Sequence, residues 1–482
     1  MGRKRGLRAI AALVCVLALT ATAAACSSGS SSGGGGSSKD SGSNGDTTGI
    51  SGETIKFGVA VSDLDGLRAS GFNLAPALTT QNLSKRITSY FDDWNAAGGI
   101  NGYKIEPVIL VWDPVKPATA QKVCDDATIN NPVFAFINAS GMGAKYVECI
   151  AKAGVPTFFG EVAPQSAHDT GFFTSISPSA EVNASSGVKA AIEAGQIPKG
   201  NAVGILAGNG PEHVAATAAA KAALEANGNK VTAVSVNTLQ GDTGIMSTES
   251  AAAVNTFKSA NVTNIVVALQ FTSSTGFWDN AAGNNWNFTF LDVASSMCTA
   301  YGAKSLKPSA VGGTCYTIFG DNVTSDGKLS PESTFEKECR AHFDKISTAD
   351  FAGAPSYQGV PSGETRTLPD GTKVSSDYAP NECTLSNLIK LSLEKAGKNL
   401  DRGSFMKAVR TVGEVPIALG SDGKGNATED RTFIGTVTHG VKLTAAPTGT
   451  AKNATGTYNG CPVDIQCWVP VGSTWYPITV TK

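Results

Sequence analysis

The sequence predicts a two-lobed α/β protein, each lobe a parallel sheet flanked by helices. Three observations carry that reading. Apolar strands alternate with amphipathic helices, the pattern of β-α-β units. The alternation runs to about residue 177 and then starts afresh. The chain of 482 residues is too long for one ordinary core.

The first unit is the clearest. Ile55–Val61 is an apolar strand. Leu83, Ile87, Tyr90, Phe91 and Trp94 then fall on one side of a helix. Gly98 and Gly99 can take the left-handed conformation that ends helices, and Asn101-Gly102 is a tight-turn signal. The chain runs at once into a second strand, Ile105 to Trp112. Further strands are expected at 133–138, 156–160 and 172–176, with helices in "ATAQKVCDDATI" and "AKYVECIAKAG" between them. The second run has strands at 202–207, 231–236, 264–269 and 288–293, separated by helices near "EHVAATAAAKAALEANG" and "AAAVNTFKSA" and one holding Phe277 and Trp278. From 298 to 375 the pattern weakens, apart from a helix in "PESTFEKECRAHFDKI". "CTLSNLIKLSLEKAG" is amphipathic, with Leu385, Leu388, Ile389 and Leu393 on one face. A hairpin around a Gly-rich turn is expected between Gly413 and Gly440, and short antiparallel strands after Tyr458.

The amino terminus reads as an export segment. A basic start (Arg3, Lys4, Arg5, Arg8) leads into an apolar run and small residues before Cys26. The run resembles a lipobox, whose cysteine becomes the lipid-bearing first residue; plain cleavage at an Ala-x-Ala site is the alternative. Residues 27–49 are almost all Gly, Ser and small polar residues, a flexible tether with no side chains to build a core. Losing the segment's four basic residues takes the formal charge from −2 to −6. No basic stripe points to nucleic acid. No interior run is apolar enough to span a membrane.

Eight cysteines remain after Cys15 and Cys26: Cys124, Cys149, Cys298, Cys315, Cys339, Cys383, Cys461 and Cys467. An even number in an exported chain reads as disulfides. Chain order favours 124–149, 298–315, 339–383 and 461–467, without excluding other pairings. No zinc spacing is present, so no metal and no cofactor are expected.

Catalytic readings are weak. Ser140 follows a strand in "INASGMGA", but Asn138 breaks the G-x-S-x-G pattern of a nucleophile elbow. His168, His213, His342 and His439 show no motif tying one to a serine. "GNGPEH" at 208–213 lacks the third glycine of a dinucleotide loop and the Lys-Ser/Thr of a P-loop. "SDGKGNATED" has a lysine where a calcium loop needs a ligand.

Several strings together carry a family likeness: "IKFGVAV", "DDWNAAGGINGYKIEPVILVWDP", "KAGVPTFFG", "FFTSISPS" and "LIKLSLEKAG". The chain resembles the type I periplasmic-binding fold, and more narrowly the branched-chain amino-acid (Leu/Ile/Val) substrate-binding lipoproteins of ABC importers. The likeness runs from residue 53 to about 440. It implies Rossmann-like lobes joined by three hinge crossings and closing on a small-molecule ligand. It further implies a lipid-anchored monomer on the outer face of the bacterial cytoplasmic membrane, with permease and ATPase subunits as partners and no enzymatic activity. The expected division is a signal over 1–26, a tether over 27–52, the first part of lobe one over 53–177 and of lobe two over 178–297. Hinge crossings, returning segments and C-terminal strands fill 298–482. A sensing domain of the same fold remains an alternative, as does, more remotely, a secreted hydrolase.

The resemblance also carries expected ligand residues. Ala139, Ser140 and Gly141 match the loop that meets a ligand carboxylate. Val162, Ala163 and Ser166 match the loop after the next strand. Lobe two would add Asn209 with Glu212, Gln270 with Phe271, and Asp292 as the acid facing an ammonium group. Two departures stand out. The "GNGPEH" loop has no aromatic residue. Glu161 places an acid where a ligand carboxylate would lie, which favours a cationic or neutral ligand if the side chain points inward.

Overall fold

A computed structural model describes residues 45–69, 79–114, 116–139, 142–237, 243–269, 271–294, 297–298, 306–319, 330–346, 365–368, 371–375, 379–418, 424–447, 461 and 466–480. The signal segment, Cys26, and the tether up to residue 44 lie outside them.

Lobe one is built from β1 (Ile50–Ser51), β2 (Thr54–Ser62), β3 (Lys104–Trp112), β4 (Ala135–Asn138), β5 (Thr157–Phe159) and β6 (Phe173–Ser175). Its parallel strands lie in the order β3-β2-β4-β5-β6. Lobe two has β7 (Ala202–Gly208), β8 (Lys230–Val236), β9 (Asn264–Ala268), β10 (Thr289–Asp292) and β11 (Thr314–Thr317) in the order β8-β7-β9-β10-β11. Each lobe thus puts its second strand outside its first and its third on the other side, the doubly wound 2-1-3-4-5 order.

The helices of lobe one are α1 (Leu64–Ala69), α2 (Thr80–Ala96), α3 (Pro117–Asp125), α4 (Ala144–Lys152) and α5 (Gln165–His168). Lobe two has α6 (Ala180–Glu193), α7 (Pro211–Ala226), α8 (Thr243–Ser259) and α9 (Phe271–Gly283). Then come α10 (Thr334–Ile346), α11 (Pro380–Ala396) and α12 (Arg402–Thr411). α11 and α12 return to lobe one and bury Leu388, Ile389, Phe405 and Val409 with Phe57, Phe91 and Trp94. The last strands, β16 (Val437–Thr444) and β17 (Cys467–Pro470), extend the lobe-two sheet antiparallel beside β11. Between β11 and β16 in the chain order are two small hairpins, β12 (Thr365–Thr367) with β13 (Lys373–Ser375) and β14 (Val415–Pro416) with β15 (Lys424–Gly425). A final β18 (Tyr476–Pro477) pairs with β16.

The double-glycine turn behaves as its sequence requires. Gly99 has φ +86°, and a Cβ there would lie 2.2 Å from the Tyr103 carbonyl oxygen. Only glycine permits the chain to reverse so closely. The Asn95 side chain fixes the exit: it donates to the Ile105 carbonyl and accepts from the Ile105 N–H, at 2.8 Å each.

The expected tether is too long at its carboxyl end. Ile50 and Ser51 pair with β2. Asp46 accepts from the Arg402 guanidinium at 2.8 Å, which also donates to the carbonyls of Val133 and Phe134. Composition alone made residues 45–52 look unstructured, while their partners lie far along the chain. All four expected cysteine pairs are bonded, with Cα–Cα separations of 5.5–6.2 Å.

Candidate ligand-binding cleft

The crossings between lobes place the cleft. β6 ends at Ser175, and the chain passes through Ser177 to the Ser179 N-cap of α6. A helix that packs back along a parallel sheet starts at the carboxyl edge of the strands, so this crossing joins the two carboxyl edges. β11 leaves its own carboxyl end into Ile318, which is buried in the lobe-one core. β16 starts at that edge too, with His439 opposite Thr317. Phe433–Gly435 runs beside Ser175–Ile176: Ile434 N–H donates to Ser175 O and Gly435 N–H to Ile176 O, both at 3.0 Å. The carboxyl edges of the two sheets therefore meet at a hinge of three crossings.

In this strand order the switch points lie between β2 and β4 in lobe one and between β7 and β9 in lobe two. Loops there diverge and leave a crevice at the carboxyl ends. Ala139 follows β4 at one switch point, and Asn209 follows β7 at the other. Ser140, Gly141 and Gln270 belong to the same loops but lie outside the described residues. Phe271 begins α9. The fully buried Asn138 closes the β4 loop by donating to the Met142 carbonyl at 2.9 Å. The residue that spoils the nucleophile motif is thus the one that shapes the loop.

The loop after β5 is the bridge between lobes. Val162 packs against the alanine-rich core of lobe two. Ala163 pairs with Ser179, and its carbonyl accepts the Ala180 N–H at 2.8 Å. Ser166 is exposed on α5, and the Gln165 N–H beside it donates to the Glu181 carboxylate. Glu161 combines two properties that mark a recess. Its side chain is open to solvent. Yet enough protein surrounds it that desolvation, with the charge of Glu382 second, pushes its carboxyl pKa up. Glu382, in the first turn of α11, is buried and 3.7 Å from Arg86; burial raises its pKa as well.

In lobe two, Asn209 donates to the Asn237 side chain at 3.2 Å, joining the loops after β7 and β8. Glu212 and His213 lie in the first turn of α7, their side chains 3.8 Å apart. His213 is buried, its Nδ1 has no hydrogen-bond partner among the described residues, and burial lowers its pKa, so the imidazole is neutral. Asp292 sits at the carboxyl edge as expected, but its environment is internal. It is fully buried, and its two oxygens accept the backbone N–H groups of Ala294 and Met297 at 2.8 Å. Those bonds shape its own loop. Asp292, Cys298 and Cys315 are close enough to suggest a metal set, but the two sulfurs are joined in a disulfide, so the thiolates a soft metal needs are not free.

Sequence reasoning missed Asn138, His213 and Glu382 as contributors. Asn138 had a local signal, an amide at the end of a buried strand. Glu382 had none, because it approaches Glu161 only through tertiary packing.

The comparisons with known proteins agree with this fold. A family profile described as "Periplasmic binding protein" matches residues 79–359. The chain belongs to the periplasmic binding protein family. No curated relative matches by sequence. Among solved structures, this binding protein is similar to a fatty acid ABC transporter substrate-binding protein from Thermomonospora curvata, at 17% identity and TM-score 0.56, covering 89% of this chain and 95% of that one. A solute-binding protein from Rhodopseudomonas palustris in complex with 3,4-dihydroxybenzoic acid shares 15% identity at TM-score 0.59, covering 89% and 99%. A leucine-, isoleucine-, valine-, threonine- and alanine-binding protein from Brucella ovis, in a closed conformation, shares 15% identity at TM-score 0.59, covering 89% and 97%. At these identities the likeness is one of fold.

No helix among the described residues is long and apolar enough to cross a membrane.

Proposed function

We propose that this protein is the extracytoplasmic solute receptor of an ABC importer, held to the membrane by lipid on Cys26, and that it captures its ligand without turnover. The observation that carries the reading is the meeting of two doubly wound sheets at their carboxyl edges across three crossings. A ligand touching both edges stabilises the closed state by its differential contacts. A permease and ATPase would receive the closed complex. The first 26 residues and the small-residue segment after them supply the address and the tether.

The ligand's chemistry follows from the recess. Glu161 and the nearby Glu382 make it unfavourable to bring a bare carboxylate against the β5 loop, through like charge and desolvation. The described part of the lobe-two side offers amides, a neutral imidazole and the carboxylate of Glu212. A cationic or neutral polar ligand, such as an amine or an amide, suits this arrangement. Solved structures of this fold carry names that give fatty acids, 3,4-dihydroxybenzoic acid, and leucine, isoleucine, valine, threonine and alanine as their ligands, so the fold alone does not fix the ligand class.

The test is a thermal-shift panel of putrescine, agmatine, leucine, acetamide and 3,4-dihydroxybenzoate on the soluble body. Calorimetry of the hits on the parent, Ser140→Ala and Glu161→Gln proteins follows. Losing one charged hydrogen bond should weaken an amine's binding to Glu161→Gln about tenfold or more. The Ser140→Ala change should weaken any hit. Amine affinity unchanged in Glu161→Gln would overturn the ligand class. Unchanged affinity for every hit in both variants would overturn the placement of the cleft, and chemical conversion of a hit would overturn the receptor reading.

A further inference from the structure

A second cavity lies at the opposite end of lobe two, and the observations assign it a chemistry. It encloses about 300 Å³, at the small end of the range for small-molecule sites of roughly 300–1,000 Å³. It opens where β7, β9, β10 and β11 begin, so it sits at the amino edge of the sheet, away from the cleft. Every described lining residue belongs to the lobe-two sheet or the segments joined to it. Its shape and access therefore do not change when the lobes move.

The alanine-rich covering of this sheet face explains the gap. α6 and α7 lie close over the sheet because they present Ala184, Ala191, Ala216 and Ala220. α6 ends at Glu193, and the chain leaves through Gln196 and Ile197 toward β7. Beyond that point no helix among the described residues covers the lower part of the face. Val203, Val266, Leu291 and Ile197 form an apolar floor, each no more than 5% exposed.

The rim is polar and one-sided. Asn264 Oδ1 accepts from the Thr289 hydroxyl at 2.6 Å, and Gln196 Oε1 from the Tyr316 hydroxyl at 3.4 Å. With their oxygens engaged, both amides present N–H groups, and these have no partner among the described residues. The Thr314 hydroxyl donates to the Phe290 carbonyl. Lys442 completes the rim; among the described residues its ammonium forms no ion pair and no acid lines the cavity. An apolar floor beneath a rim of donors and one cation is complementary to a single class of molecule.

We propose that this cavity is a second ligand site, which takes a small monocarboxylate with a compact apolar body. The hydrocarbon or ring lies against Leu291, Ile197 and Val471, above the fully buried Val203 and Val266, and the carboxylate meets Lys442, Asn264 and Gln196. This preference is the reverse of that proposed for the cleft, where Glu161 disfavours a carboxylate.

The experiment is ¹⁹F NMR titration of 4-fluorobenzoate into the soluble body, with hexylamine as the control of opposite charge. Lys442→Glu changes an exposed side chain and should weaken 4-fluorobenzoate about tenfold or more while admitting hexylamine. Val471→Trp, at a mouth residue 40% exposed, narrows the entrance and should weaken both probes. Saturating the cleft with a hit from the thermal panel should leave 4-fluorobenzoate binding unchanged. Equal binding in parent, Lys442→Glu and Val471→Trp would overturn the proposal, as would no binding in the parent or displacement by the cleft ligand.

Discussion

The two lobes have the same strand order but different fillings. Lobe one packs aromatic rings at the centre of its face: Phe57 lies 5.5 Å from Phe91 and 6.4 Å from both Phe134 and Phe405, and Phe158 is 5.7 Å from Phe405. Lobe two gathers its largest ring cluster on one face, where Phe277, Trp278, Trp286, Phe288 and Phe290 stack, tilt or meet edge to face. Its other face is a thin layer of alanine, with Gly187 in α6 leaving room for Tyr316 and Val293. One topology therefore tolerates two thicknesses of core. The thin layer allows close helix packing but leaves a cavity at the base of the sheet.

The largest break in this comparison should come from opposite changes in side-chain size. Phe405→Ala empties a fully buried ring position in lobe one and should cost about 3–5 kcal/mol, read from urea unfolding. Ala184→Leu overfills the thin layer of lobe two and should cost about 1–3 kcal/mol. A larger loss from Ala184→Leu than from Phe405→Ala would mean the two faces have been assigned the wrong tolerance.

Buried histidines sharpen the comparison next. Burial, helped by the charge of Arg410, holds the lobe-one His168 near pKa 3. Burial holds the lobe-two His439 near 4, against an opposing hydrogen bond to the Phe319 carbonyl. Both folded values lie below the ordinary 6.5, so the fold keeps the neutral ring. Above pH 6.5 neither group makes stability depend on pH. As pH falls below it, the unfolded chain takes up protons that the fold refuses, and stability drops by up to about 1.4 kcal/mol per pH unit for each histidine. The loss stops near pH 4 for His439 and near pH 3 for His168. His168→Asn and His439→Asn should therefore each flatten the acid limb of the stability curve below pH 6.5. An acid limb as steep as the parent's in both variants would refute the linkage.

The smallest effects should be the same in both lobes. Glu148–Lys152 in α4 and Lys221–Glu225 in α7 are i,i+4 pairs with well-exposed lysines. Replacing either lysine by alanine should change stability by less than about 0.5 kcal/mol, less again in high salt.

Much of the fold was legible because strands and their following loops are local. β2 through β10 fall within two residues of their expected ends, since apolar runs and glycine turns sit next to one another in the chain. The helix α12 was overlooked although it carries a signal: Asp401 and Ser404 form a capping box ahead of Phe405, Met406 and Val409. Its apolar face is short and lies among returning segments, where no strand alternation frames it. The site was legible where the loop follows its strand directly, as with Ala139, Val162 and Asn209. It was not legible where long-range packing decides. Asp292 stands at the expected edge, yet the loop after it folds back and supplies two N–H donors. The amide groups of Ala294 and Met297 give no sequence sign of doing so.

The paired strands at the hinge have a mechanical meaning. Ser175–Ile176 and Phe433–Gly435 are hydrogen-bonded side by side, and a Cβ on Gly435 would lie 2.9 Å from the Ile318 side chain of the third crossing. Straps laced in this way resist shear and twist but still bend about the line across them. Relative motion of the two lobes then has one soft coordinate, like a stiff leaf spring. The width of whatever lies between the lobes sets the position along that coordinate. A membrane partner that touches both lobes at their outer rims would read ligand size as a single angle.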